Sequence, residues 1–131
     1  MAAKLLNAWG YQGDPMTLPV ADVEEAAKFY ETVMGFSIES RSEDPHNSIV
    51  LERDGVQMAL NENGGDPTQD GVAFRVDDVA SLLDEFKSNG FERNKEGFET
   101  ERRNDGTTWK VFFVVAPDGL CFWFGENVTE K

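Results

Sequence analysis

Histidine and cysteine are nearly missing from this chain. Each occurs once in 131 residues, as His46 and Cys121. A lone cysteine excludes an internal disulfide and suits a reducing compartment. A lone histidine lying in a turn-rich stretch, far in sequence from Cys121, gives that thiol no adjacent base to activate it. No paired-cysteine zinc pattern, glycine-rich phosphate loop or nucleophile elbow occurs. Basic residues are scarce as well: 12 against 25 acidic ones, for a net charge of −13. Such a balance argues against nucleic acid and anionic membranes, which need clustered Lys and Arg. It permits attraction of a cationic ligand, and it equally serves plain solubility. No apolar run approaches the ~20 residues of a membrane-spanning helix, and one Lys beside a short apolar pair does not make a signal peptide. The expectation is a cytoplasmic protein without nucleic-acid or membrane partners.

The chain does contain a repeated unit. Leu18-Pro19-Val20-Ala21-Asp22 leads into Val23, Ala26, Ala27 and Tyr30, spaced i, i+3, i+4 and i+7 along one stripe of a helix. Asp22 stands at the N-cap position, with Glu25 three residues on as a box-like partner. Gly35 suits the left-handed residue that ends a helix. The unit returns as Val76-Asp77-Asp78-Val79, followed by Leu82, Leu83 and Phe86 at the same offsets, and Gly90-Phe91 repeats Gly35-Phe36.

Around these helices the pattern predicts strands. Pro15 to Val20 alternates, with two prolines that place it at an edge or a break in pairing. Phe36 to Arg41 and Ser48 to Glu52 follow; then the Asp54-Gly55 turn leads to Val56–Asn61. Residues 62–70 read as a linker. The second half repeats the order: Gly71 to Val76, the second helix from Val79 to Ser88, a short strand from Phe91 to about Arg93, Thr107 to Val115, and Leu120 to Gly125. Lys95 to Gly106 reads as a polar, mobile loop, with Arg102 and Arg103 solvated, or else meeting an anionic ligand or gating the cup. The order is βαβββ twice. Residues 1–13 form an arm, as a strand, a short helix or partly an appended sequence. A single domain over 14–127 divides into module one (14–62), the linker (62–70) and module two (71–127). In both modules the strand face away from the helix is mixed: Thr17, Gln57, Asn61, Arg75, Cys121 and Trp123. A sheet covered by helices on one side and partly polar on the other fits a concave ligand surface.

These motifs, with the Ala116-Pro117-Asp118-Gly119 turn, resemble the vicinal oxygen chelate superfamily, which includes glyoxalase I, extradiol dioxygenases, fosfomycin-resistance enzymes and bleomycin-binding proteins. The resemblance implies an α+β fold of two βαβββ modules forming a cupped, mixed-strand sheet, usually in a homodimer. It further implies one divalent ion, such as Zn, Ni, Mn or Fe, held by the first and last strands of each module. Carried over by motif, those four positions are Pro15, Ala59, Gly71 and Trp123, and none has a ligating side chain. The expectation is therefore a metal-free, cofactor-free small-molecule-binding protein whose ligand is flat or cationic. Trp123 would stack on it or merely fill the former metal cavity. Arg75 would clamp a carboxylate or pair with a neighbouring acid. Gln57, Asn61 and Thr17 would hydrogen-bond a ligand or face water, and Cys121 shares the cup with Trp123. Two alternatives stand beside it. One is a metal-dependent lyase, isomerase or dioxygenase with displaced ligands such as Glu52, Glu62, Asp70 or Glu126. The other is a module that only dimerises or docks on a protein.

Overall fold

A computed structural model of the chain describes residues 3–10, 16–43, 46–91 and 98–129. The two striped segments are helices, α1 (Val23–Thr32) and α2 (Val79–Ser88), and the stripe residues Val23, Ala26, Ala27, Tyr30, Val79, Leu82, Leu83 and Phe86 are all buried. Asp22 caps α1 by accepting from the Glu24 and Glu25 amides, and Asp78 caps α2 by accepting from Ser81. The expected reciprocal partner, Glu25, pairs with Lys28 instead. The Val23 amide goes to Glu62 (3.0 Å), and Glu126 does the same for Val79 (3.1 Å). A carboxylate just beyond the last strand of module one, or at the end of that of module two, thus satisfies a helix donor that no residue within the helix reaches.

The strands are β1 (Leu5–Gly10), β2 (Leu18–Pro19), β3 (Ser37–Ser42), β4 (Ser48–Arg53), β5 (Val56–Asn61), β6 (Gly71–Val76), β7 (Glu99–Arg102), β8 (Thr108–Val115) and β9 (Cys121–Asn127). They form two sheets, β2-β5-β4-β3 and β1-β6-β9-β8-β7. Leaving β1 aside, the strand order is the same in both, with β2–β5 and β6–β9 parallel and their other neighbours antiparallel. This is the α+β arrangement of two βαβββ modules expected from the repeat. Several boundaries differ. The first strand shrinks to Leu18–Pro19, and Pro15 lies outside the described residues. Glu99–Arg102 pairs with β8, so part of the expected polar loop is a strand. The strand expected at 91–93 lies outside the described residues beyond Phe91. In the arm, Leu5–Gly10 adds a fifth strand antiparallel to β6; Asp77 and Asp54 accept the Lys4 and Leu5 amides.

Both sheets turn the same kind of face inward. Ile49, Leu51, Met58 and Leu60 from one sheet join Val72, Phe74, Phe112, Val114, Phe122 and Phe124 from the other, with both helices, in one buried cluster. Phe74 and Phe112 stack on Phe124 at centroid distances of 5.2 and 5.1 Å, and Tyr30 meets Phe122 edge-on at 5.4 Å. Each fully buried Phe stabilises the fold by about 1.5–3 kcal/mol. Among the described residues no helix is long and apolar enough to cross a membrane.

Two polar links fasten the modules. Arg53, only 8% exposed, sends its guanidinium to both Glu85 oxygens (2.7 and 2.8 Å), to the Met34 carbonyl (2.7 Å) and to the Ala3 carbonyl (3.0 Å). It thereby joins β4, the end of α1, the N-terminal arm and α2. Gly35, at φ +73°, passes so close that a Cβ there would stand 2.8 Å from the guanidinium. The second link is Tyr30, whose hydroxyl donates to Asp118 (2.7 Å) across the module boundary. Burial, then the adjacent Asp118 charge, pushes the Tyr30 hydroxyl well above the usual phenol range. Burial likewise raises the Asp118 carboxyl, against the bonds it accepts from Tyr30 and Leu120.

Arg53→Met leaves the Glu85 carboxylate and two carbonyls without their donor. It should cost ~3–5 kcal/mol of unfolding free energy, measured by urea titration; a loss within experimental error would remove Arg53 as the fastener. Tyr30 holds its proton more tightly folded than unfolded. Its stabilising effect is therefore complete below about pH 10 and lost as pH rises further. Tyr30→Phe should cost ~1–3 kcal/mol at neutral pH, and its stability should decline less than that of the parent through the alkaline range.

Candidate functional site

The face of the five-stranded sheet turned away from the helices is built by register. Across it, Trp9, Ala73, Trp123 and Phe113 lie in one row, and Asn7, Arg75, Gly125, Val111 and Glu99 in the next. Phe112 and Val114 of β8 face the helices, so Trp109, Val111, Phe113 and Val115 belong to this outward side. It carries a second, smaller apolar cluster of Trp109, Val111 and Trp123, with Ala73 packed against it.

Trp123 occupies a position expected to hold a metal ligand, and its indole is tightly held. The ring lies across Gly125, where an added Cβ would overlap its six-membered ring. It packs on Trp109 at 5.6 Å and 52°, and its Nε1–H donates to Glu101 (2.9 Å). Only 7% of Trp123 is exposed. Arg103, from the segment expected to be solvated, stacks over both indoles, with its Cζ 4.9 Å from Trp109 and 5.1 Å from Trp123. Glu101 lies 3.7 Å from the same guanidinium. Arg75 is exposed and reaches toward the other side of the cluster, 5.8 Å from the Trp109 ring. Beyond the cluster, Trp9 and Phe113 are open to solvent, at 47% and 38% exposure.

The other expected site residues fall in separate places. Cys121 is half-buried two residues along β9 from Trp123, opposite Gly71 and Val115. Gln57 and Asn61 are on the four-stranded sheet, opposite Glu52 and Ser48; Asn61 donates to the Met16 carbonyl (3.1 Å). Thr17 is exposed just before β2. The structure thus brings Arg75, Trp123 and Cys121 onto one face and puts Gln57 and Asn61 on another sheet. Sequence reasoning missed Glu101, the space left by Gly125 and the stacking of Arg103 on the two indoles. Two surface hollows lie elsewhere, ~220 Å³ between α1 and Pro117-Asp118 and ~410 Å³ between the start of α1 and β3–β4; a smaller one of ~170 Å³ lies beside Leu6 and Arg75, at the edge of this face.

The residues do not fit the family's divalent ion. Ala59 and Gly71 offer no side-chain donor, the Trp123 ring carries only an N–H already bound to Glu101, and Pro15 lies outside the described residues. Among the proposed displaced ligands, Glu62 and Glu126 cap helices, and Asp70 accepts from the Gly71 amide. Among the described residues, no three His, Cys, Asp or Glu side chains converge to hold a metal.

Repeated modules, sheet order and the outward face identify the class, and comparison with known proteins agrees. The profile of the Glyoxalase/Bleomycin resistance protein/Dioxygenase superfamily matches residues 13–124, and the chain belongs to that superfamily. Lactoylglutathione lyase of Haemophilus influenzae is 28% identical over 127 residues, covering 87% of this chain and 91% of that protein. The bleomycin resistance determinant encoded on transposon Tn5 superposes with a TM-score of 0.65 at 27% identity, covering 86% and 95% of the two chains. A bleomycin-binding protein complexed with bleomycin gives 0.61 at 26% identity, over 85% and 94%.

Gly125→Ala should displace the Trp123 indole, red-shift tryptophan emission and cost ~1–3 kcal/mol. In a Trp123→Ala background the same change should cost much less. Additive losses in the double variant would contradict the packing described.

Proposed function

We propose that this protein binds a flat small molecule without a metal ion, as a homodimer, on the outward face of the five-stranded sheet. The observation that carries this reading is the replacement of a metal-ligand position by Trp123 within a held aromatic and arginine cluster, beside exposed Trp9 and Phe113. Aromatic rings on a rigid sheet supply contact area at low entropic cost. The superfamily contains a protein solved with bleomycin bound, so ligand binding on this scaffold has a precedent. Exposed Trp9, Phe113 and Val115 make the same face apolar enough to be partly covered by a second copy. Arg75, Trp123 and Cys121 would then meet the ligand from one protomer, with Gln57, Asn61 and Thr17 of the other sheet as further candidates.

A thermal-shift screen of polycyclic aromatic compounds, run with and without a chelator, tests this. Hits that persist in chelator and weaken in Trp9→Ala are expected, together with a dimeric mass in solution. The contrary reading follows from the relatives named lactoylglutathione lyase. Metal-stimulated lactoylglutathione lyase turnover by the purified protein would replace the binding function with that one.

A further inference from the structure

The geometry points to an anion as the occupant of this face: a planar aromatic carboxylate or sulfonate whose charge is taken by Arg75. The inference rests on the small-molecule reading above and decides the charge of the ligand. A net charge of −13 alone would suggest a cation, and so would bare tryptophan rings. The rings are not bare. Arg103 stacks over both Trp109 and Trp123, and Arg75 approaches Trp109 from β6. An arriving cation would meet two guanidinium groups where it needs π-faces.

The charges around these arginines are unevenly balanced. Arg103 has Glu101 at 3.7 Å. Arg75 has no carboxylate partner among the described residues. The two acids that share its neighbouring hollow are committed elsewhere, Asp77 to the Lys4 amide and Glu126 to the Val79 amide. Arg75 therefore keeps its planar donor fork available, the group best suited to bidentate carboxylate recognition. In the adjacent row, Ala73 stands between Trp9 and Trp123. Two strand spacings separate the flanking backbones by ~10 Å, and Ala73 contributes only a methyl group between the two tryptophan positions. An aromatic body over Ala73 would place its acid group toward Arg75, two residues along the same strand.

Calorimetric titration with three probes of one shape tests this: 2-naphthoate, 2-naphthylmethylammonium and 2-naphthalenemethanol, at about 0.15 M salt to limit the long-range field. Naphthoate should bind at least about tenfold more tightly than the ammonium probe, although the whole chain repels anions. Arg75→Gln, a change at an exposed position, should reduce naphthoate to the level of the alcohol, and Arg75→Lys should recover only part of the loss. Unfolding midpoints of both variants check that the fold is intact. Preference for the ammonium probe, or naphthoate binding unchanged in Arg75→Gln, would overturn the anion assignment and leave small-molecule binding standing. Binding of none of the three would remove both.

Discussion

One buried cation holds the molecule in its arrangement. Arg53 sits at the end of β4, and its five donors are shared among Glu85 of α2, the carbonyl at the end of α1, the N-terminal arm and the adjacent Asp54 carboxylate. A guanidinium this deep is tolerated only when a carboxylate and several acceptors surround it, so the four elements must approach together or not at all. That requirement explains Gly35, where any side chain would displace the guanidinium. It also explains why the arm is ordered against module two. With the modules fastened helix side to helix side, both sheets point their remaining faces outward. The outward face of the five-stranded sheet is thus a consequence of how the core closes.

On that face Trp123, at a position the resemblance assigns to a metal ligand, stands in an aromatic cluster with Trp109 and Val111. A tryptophan can lie there because Gly125 leaves space beside it and because Glu101 accepts its N–H. Arg103 then covers the two indoles. A metal site would offer a Lewis acid for chemistry on substrate oxygens; the residues present offer shape, π-faces and guanidinium charge, which suit recognition. The chain keeps the superfamily's scaffold, and on such scaffolds the site rather than the fold decides function.

Much of this could be read from the amino-acid order because the repeat is written in apolar periodicity. Val23, Ala26, Ala27 and Tyr30 and their counterparts Val79, Leu82, Leu83 and Phe86 mark two helices that must be buried on one side, and the stripe leaves little choice of register. Asp22 and Asp78 cap as local rules require. What escaped depends on contacts distant in sequence. Glu62 takes the Val23 amide because β5 delivers it there, while Glu25 turns to Lys28. β7 has no apolar alternation, since Glu99–Arg102 pairs along the rim of the sheet where neither face is deeply buried. The roles of Glu101, Arg103 and Gly125 arise only once β7, β8 and β9 are side by side. Position 123 could be recognised as altered from the motif alone; how its ring is held could not.

The most direct measurement is the metal content of purified protein incubated with excess Zn, Ni or Mn and then freed of loosely bound ions. Elemental analysis should find less than about a tenth of an equivalent of each per chain, because a tight site needs several converging donors and positions 59, 71 and 123 supply none. Close to one equivalent per chain would contradict a metal-free binding face. It would mean that carboxylates such as Glu62 or Glu126 leave their helix caps to coordinate the ion.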